Sequence, residues 1–438
     1  MEANSSDAII IPAGQKMDSP VRKVFSNRNF RLLWIGQGMS LIGDQFSMIA
    51  LPWLVLLLTG DPMALGIVLA LIGIPRAVFM LVGGALTDRF SQRSIMLVSD
   101  VLRLVLTAGL AFIIFSGNIQ LWVLYAYALA FGTVSGFFMP ASNSMVPRIV
   151  KKEELMAGNS IIQGTSQLSV FIGPLLAGGL IALFSNGFAT IGGISPSMSG
   201  IGLAFAIDAL TFIISVATLW MMKVNSPGAA GTGSILSSIK EGIMYVAHTR
   251  DILIMFVIIA LLNFLFSGPL LVGLPIIANG RLSEGAAAYG ILISAFAIGN
   301  LIGLLGSSAI KIKPGLLGPL AIVIIGVFGF GLAAIGFIYS TWIGAGILIT
   351  LGIMNGYLSI LLITLLQKRT PQDMMGRLMS LVMFAGVGLV PVSQALSGAL
   401  LKISIEGVFV GCGILILVIA VMAALSKEVR NIGVEAAL

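Results

Sequence analysis

Long apolar runs separated by short polar turns cover most of the chain. They lie near 31–58, 64–86, 95–115, 121–146, 155–184, 200–222, 251–279, 286–310, 316–339, 342–368, 376–401 and 407–426. Each is long enough to cross a hydrocarbon layer of about 30 Å at about 1.5 Å per helical residue. Lipid offers the backbone no water to bond, so each run has to be a helix. The apolar/polar alternation of an outer-membrane strand is absent. The pattern predicts an all-α membrane protein with twelve transmembrane helices.

Composition agrees: 58% of the 438 residues are hydrophobic and 9% charged, with a mean hydropathy of +1.08, far from a soluble globular domain. Lysines and arginines are sorted. All but Arg76, Arg103, Arg281 and Lys402 fall in the two tails or in the even-numbered turns, which places both termini in the cytoplasm of a multi-pass cell-membrane protein. The net charge of +7 is spread over many short turns, so anionic lipid headgroups fit it better than nucleic acid does. Residues 1–24 lack the basic-then-apolar order of a signal peptide. Cys412 stands alone in the last run and reads as a small apolar core residue, which excludes a disulfide framework. His248 has no suitably spaced second ligand, so no metal site is expected.

The two halves echo each other at an offset of about 220 residues. Val146-Pro-Arg-Ile-Val-Lys-Lys-Glu153 through Ser160 and Gly178-Gly-Leu180 lies over Leu366-Gln-Lys-Arg-Thr-Pro-Gln-Asp373 through Ser380 and Gly398-Ala-Leu400. The expected organisation is an N-terminal tail over 1–24, a six-helix bundle over 25–222, a linker over 223–250, a second bundle over 251–426 and a tail over 427–438. In the linker, Asn225 to Gly233 is rich in Gly, Ser, Ala and Pro, and Ile235, Ile239, Ile243 and Val246 predict an interfacial helix.

Between runs 2 and 3 sits Gly84-Ala-Leu-Thr-Asp88-Arg89-Phe-Ser-Gln-Arg93, read as a loop of about seven residues between antiparallel neighbours whose charges cap helix ends. It resembles the Gly-x-x-x-Asp-Arg-x-Gly-Arg-Arg/Lys pattern of the major facilitator superfamily, with Ser91 and Gln92 departing from it. Asn29-Phe-Arg-Leu-Leu-Trp34, Gly43-Asp44, Leu51-Pro-Trp-Leu-Val55, Ser99-Asp100-x-x-Arg103 and Pro140-Ala141 are similar to the superfamily's bacterial drug and siderophore exporters, a branch that includes macrolide efflux proteins and the enterobactin exporter. Gly173-Pro174-x-x-Ala177-Gly178 is similar to its antiporter motif, and reads equally as close helix packing. The resemblance implies the major facilitator fold, two pseudo-symmetric six-helix bundles around a central cavity lined by runs 1, 4, 7 and 10. It also implies export of amphipathic small molecules by alternating access.

Charges at membrane depth need a reason, because each costs about 2.5–3.5 kcal/mol on insertion scales. Asp44 and Arg76 lie near the middles of runs 1 and 2. Either Asp44 is a carboxylate that loads and unloads protons or contacts substrate, or it is half of a static ion pair with Arg76. Gly36, Ser40, Gly43, Asp44 and Ser47 form one stripe that must face protein or water. Asp100 and Arg103 are expected near the cytoplasmic surface, as a gating cluster with Gly84, Asp88, Arg89 and Arg93, and Asp208 on a peripheral helix as a structural residue. In the second half, Asn263, Asn300, Asn355 and Gln394 can orient a substrate through hydrogen bonds.

No Gly-x-x-x-x-Gly-Lys-Ser/Thr occurs, so ATP hydrolysis by that route is excluded and an ion gradient or facilitation remains. The expected protein is not an enzyme, carries no cofactor, acts as a monomer, and exports drug-like molecules by proton antiport. A siderophore, peptide or lipid cargo is the alternative. A non-transporting receptor fits poorly, because no sizeable extramembrane domain is present.

Overall fold

The structure, a computed structural model, describes residues 20–185, 195–224, 244, 246–309, 314–370, 378, 381–382 and 388–426. Its helices in chain order are α1 (Pro20–Ser26), α2 (Arg28–Thr59), α3 (Pro62–Arg89), α4 (Gln92–Phe115), α5 (Leu121–Ile149), α6 (Leu155–Ser185) and α7 (Pro196–Met221). After the linker come α8 (Arg250–Arg281), α9 (Ala286–Ala309), α10 (Leu317–Ile335), α11 (Thr341–Arg369), α12 (Val390–Leu401) and α13 (Ile405–Leu425). Among the described residues eleven helices are long and apolar enough to cross a membrane, and none forms a strand. The eleventh expected run, 376–401, is described chiefly through α12. Most of the expected interfacial helix, 235–243 with 245, lies outside the described residues, as do Lys311 and Lys313.

Local chemistry places the helix ends. Asn27 caps α2 by accepting from the backbone N–H groups of Asn29 (2.9 Å) and Phe30 (3.3 Å). Its Nδ2 donates to the carbonyl of Ile149 at 2.5 Å, tying the start of α2 to the end of α5. At the other end of α2, Gly60 adopts φ 60° and returns its N–H to Leu56 O.

The segment Gly84–Arg93 is not a loop. Helix α3 runs on to Arg89 and α4 begins at Gln92, leaving only Phe90 and Ser91 between them. Ala85 and Leu86 favour helix, and the one glycine costs only about 1 kcal/mol, too little to end it.

The repeat is visible in the packing. Helix α5 lies on α3 so closely that a Cβ on Gly136 would fall 2.9 Å from the carbonyl oxygen of Arg76. Helix α11 lies on α9 in the same way, where a Cβ on Gly356 would meet the backbone N of Leu304 at 2.7 Å and the carbonyl of Asn300 still closer. Gly136 and Gly356 are thus repeat partners, and so are Arg76 and Asn300.

The two bundles touch along α3 with α12 and α6 with α9. A Cβ on Gly398 would sit 2.8 Å from the Cα of Gly66, and one on Gly178 would sit 3.0 Å from the Cα of Gly290. Asp61, between α2 and α3, pairs with Lys402 just after α12 at 3.3 Å. Hence α12 ends on the face opposite the start of α2, and α13 brings the chain back. Both described ends therefore lie on one face, the tail face, and the bundles close on the far face.

Candidate functional site

The polar stripe of α2 packs against α7. A Cβ on Gly43 would fall 2.5 Å from Asp208 Oδ1, so only glycine permits this approach. Ser47 donates its hydroxyl to the Asp208 carboxylate, and the hydroxyl of Thr211 donates to the carbonyl of Asp208 at 2.7 Å. Ser40 and Ser47 are accordingly buried, and neither lines either of the two cavities described below. Asp208 is fully buried and joined to α2. Tyr127 of α5, 3.4 Å from the Thr107 hydroxyl, lies within electrostatic reach of it. Neither Tyr127 nor Thr107 stands out in the sequence, because each lies within an apolar run and its partner is on another helix.

Asp100 and Arg103 are also inside the bundle, at 0% and 5% exposure, not at the surface. Asp100 is eight residues into α4, about 12 Å along it, which is deep enough to leave the headgroup layer. The Ser215 hydroxyl donates to Asp100 at 2.6 Å, and Arg103 Nη1 lies 3.6 Å from its other oxygen. The guanidinium of Arg103 sits over Phe138, 4.2 Å from the ring centroid, with Phe131 and Phe212 at 5.7 and 5.8 Å. Arg93 is engaged elsewhere: it donates to the carbonyls of Leu219 (2.7 Å) and Trp220 (2.6 Å), capping the C-terminus of α7. The side chains of Asp88 and Arg89 lie outside what the structure describes. The expected gating cluster is therefore divided between a helix cap and a sealed pair.

Asp44 and Arg76 are both half-buried, and no contact ion pair joins them. The charges of Arg103 and Arg76 both act on Asp44, so the three belong to one field. Among the described residues Arg76 Nε has no hydrogen-bond partner. The interior of the first bundle thus holds the carboxylates Asp44, Asp100 and Asp208 against the guanidiniums Arg76 and Arg103. Among the described interior residues the carboxylates outnumber the guanidiniums by one.

Gly173, Pro174, Ala177 and Gly178 stand where α6 meets both α2 and the other bundle. Gly173 packs on Gln45, the carbonyl of Pro174 faces Gly290, and Ala177 is fully buried. In the second bundle Gln394 is buried, with its backbone carbonyl at the α3–α12 crossing 2.7 Å from a Cβ placed on Gly66, and the backbone of half-buried Asn300 runs against Gly356 of α11. Asn263 and Asn355 line a cavity of about 180 Å³ with Ser359, Phe266 and Phe328.

A larger cavity of about 780 Å³ opens between the bundles toward the tail face. Its walls come from α2, α5, α6 and α9, which part here after meeting at Gly178 and Gly290. Closed on one face and open on the other around a cluster of interior charges, the molecule has the form of a membrane transporter.

The comparisons agree. The sequence pattern of the Major Facilitator Superfamily matches residues 33–392, and the chain belongs to that family. Enterobactin exporter of Salmonella typhimurium is 25% identical over 374 residues, 80% of each chain. Macrolide efflux protein A of Streptococcus pyogenes is 22% identical over 421 residues, 93% of this chain and 98% of the relative. Among solved structures, a nucleoside transporter superposes with a TM-score of 0.73 at 11% identity, covering 91% of this chain and 99% of its own. A bacterial homologue of the iron transporter ferroportin in an inward-facing state gives 0.68 at 17% identity, with the same coverage.

Proposed function

We propose that this membrane transporter exports amphipathic small molecules, drug-like or macrolide-like, by proton antiport, acting as a monomer with both tails in the cytoplasm. In this reading the bundles span 25–222 and 251–426, the linker 223–250 joins them on the cytoplasmic side, and the tails 1–24 and 427–438 lie on that side too. The tail-face cavity is then open to the cytoplasm. The carrying observation is the excess of one carboxylate, Asp44, Asp100 and Asp208 against Arg76 and Arg103. One proton neutralises it, and Asp44 is the half-buried member that a change of access can reach. Arg76 and Arg103 hold the field in which that proton binds.

The test is transport in liposomes under an imposed pH gradient. Asp44→Asn is expected to abolish pH-driven transport of a drug panel while leaving helicity and gel-filtration behaviour unchanged. Undiminished transport by that variant would overturn the proton-coupling role.

A second reading keeps the machine and changes the cargo to a siderophore, a peptide or a lipid. The enterobactin exporter among the relatives and the unpartnered Nε of Arg76, suited to an anion, favour it. Export assays with an anionic catecholate siderophore separate the two: loss of its transport in Arg76→Gln, with neutral drugs unaffected, selects the second.

A further inference from the structure

The tail-face cavity carries five carboxamides, Gln37, Asn143, Asn159, Gln163 and Gln167, and no charged side chain among its described lining residues. None of the five side chains hydrogen-bonds to the protein among the described residues, and the Oε1 of Gln37 is buried as well. Asn143, Asn159 and Gln163 are exposed and Gln37 and Gln167 half-buried, so the five present one space with donors and acceptors that a ligand can engage in exchange for water. Asn159, Gln163 and Gln167 recur every four residues and stand one above another on α6, while Gln37 and Asn143 face them from α2 and α5. Ser142 and Ser160 add two hydroxyls, and the apolar part of the wall comes chiefly from Leu168 of α6 and from Leu301, Leu304 and Leu305 of α9.

We infer that this cavity is a recognition site for uncharged amphiphiles rich in hydroxyl, ether or amide oxygens, such as glycosides or polyketide-like lactones. The oxygen-bearing face of such a ligand lies on the amide ladder of α6, and its apolar face lies on α9. Carboxamides both donate and accept, so they match hydroxyls of either orientation. They leave an ion without a counter-charge, which disfavours charged head groups of equal size. Gln37 and Asp44 are seven residues apart on α2, two turns or about 10 Å, so a ligand held here ends just short of the charged cluster. The assignment names a substrate class for the export reading and rests on it only for the claim that the ligand is cargo.

Binding can be read without transport. A Cβ on Gly164, in the cavity wall, meets nothing within 4 Å, so Gly164→Cys in a Cys412→Ser background places a reporter thiol in open space. The full-length protein in nanodiscs is labelled with a water-soluble maleimide in the presence of decyl maltoside, decanoate or decyltrimethylammonium, each below its micellar concentration. Decyl maltoside is expected to slow labelling, with little effect of the two ions. Adding Gln163→Leu and Gln167→Leu should raise the maltoside concentration needed by about tenfold or more, since each lost hydrogen bond is worth a factor of roughly three to ten. Gln163→Glu should instead bring in protection by the ammonium compound. Equal protection by all three amphiphiles, protection by none, a thiol that does not label, or protection unchanged by losing both carboxamides would overturn the assignment. The pH-gradient experiment on Asp44→Asn can fail or succeed independently of each of these results.

Discussion

Ser47 on α2 and Asp208 on α7 share a hydrogen bond at the centre of the first bundle, and Gly43, one turn from Ser47, is what lets the two helices come that close. Ser47→Ala removes the side-chain donor to a fully buried carboxylate, a loss of about 1–3 kcal/mol. Thermal unfolding of the purified protein should show a lower midpoint for Ser47→Ala than for Asp208→Asn, which keeps the shape and can still pair with the hydroxyl. Equal midpoints for Ser47→Ala and the parent would show the bond to be of no consequence for the fold.

The far-face closure rests on glycine. A side chain at Gly178 or Gly398 has no room against the opposite bundle, and relieving the overlap costs about 1–3 kcal/mol. That is enough to shift the balance between closed and open far faces by about tenfold. Gly178→Val and Gly398→Val are expected to lose most of their transport. Spin labels on the far-face turns at Asn118 and Ser283 should report a longer mean distance in both variants. An unaltered distance distribution would mean that these crossings do not set the closure.

The helices were legible because length and apolarity alone decide them: the expected run 121–146 became Leu121–Ile149, and 155–184 became Leu155–Ser185. The repeat was legible too, since Gly178 and Gly398 occupy equivalent bundle crossings. Depth along a helix is also readable, and Asp44 and Arg76 are both at mid-membrane depth. Azimuth between helices is not, so their lack of direct contact could not be foreseen. The same gap hid the partnership of Asp208 with Ser47, which depends on how α2 crosses α7. It hid the cage around Arg103, whose three phenylalanines come from α5 and α7. The every-fourth-residue amides of α6 were readable in principle, but their function depends on where α9 draws away.

The far-face turn contains a pH-sensitive contact. Thr341 donates its hydroxyl to the Glu284 carboxylate at 2.6 Å, and this bond holds the carboxyl below its ordinary titration range. Because the folded state binds this proton less readily than the unfolded chain, the contact contributes fully above the ordinary carboxylate range. Its contribution fades as the pH falls through the lowered value. Glu284 is exposed, so the effect is small. Unfolding midpoints of the parent and Thr341→Val should differ slightly at neutral pH and converge in acid. A difference that grows on acidification would refute this account.

Asp100 and Arg103 offer the sharpest separation of structure from coupling. Each is sealed within the bundle, and removing one partner strands the other's charge, at a cost of about 3–5 kcal/mol. Arg103→Met and Asp100→Leu should therefore each express poorly or unfold early. Removing both leaves no stranded ion and fills the space with apolar groups, so the double variant should recover folding. Asp44, Asp208 and Arg76 remain in it, with one carboxylate still unmatched, and pH-driven transport should persist to within about tenfold if one lost interaction of roughly 1.4 kcal/mol is all that coupling suffers. Arg103→Lys keeps the charge but loses the planar stacking on Phe138, and should fall between parent and single variants in stability. The measurements are midpoint of unfolding and initial transport rate under a fixed pH gradient, taken on the same preparations. A double variant that folds as well as the parent but no longer responds to the gradient would move the coupling role from the unmatched carboxylate to the Asp100–Arg103 pair itself.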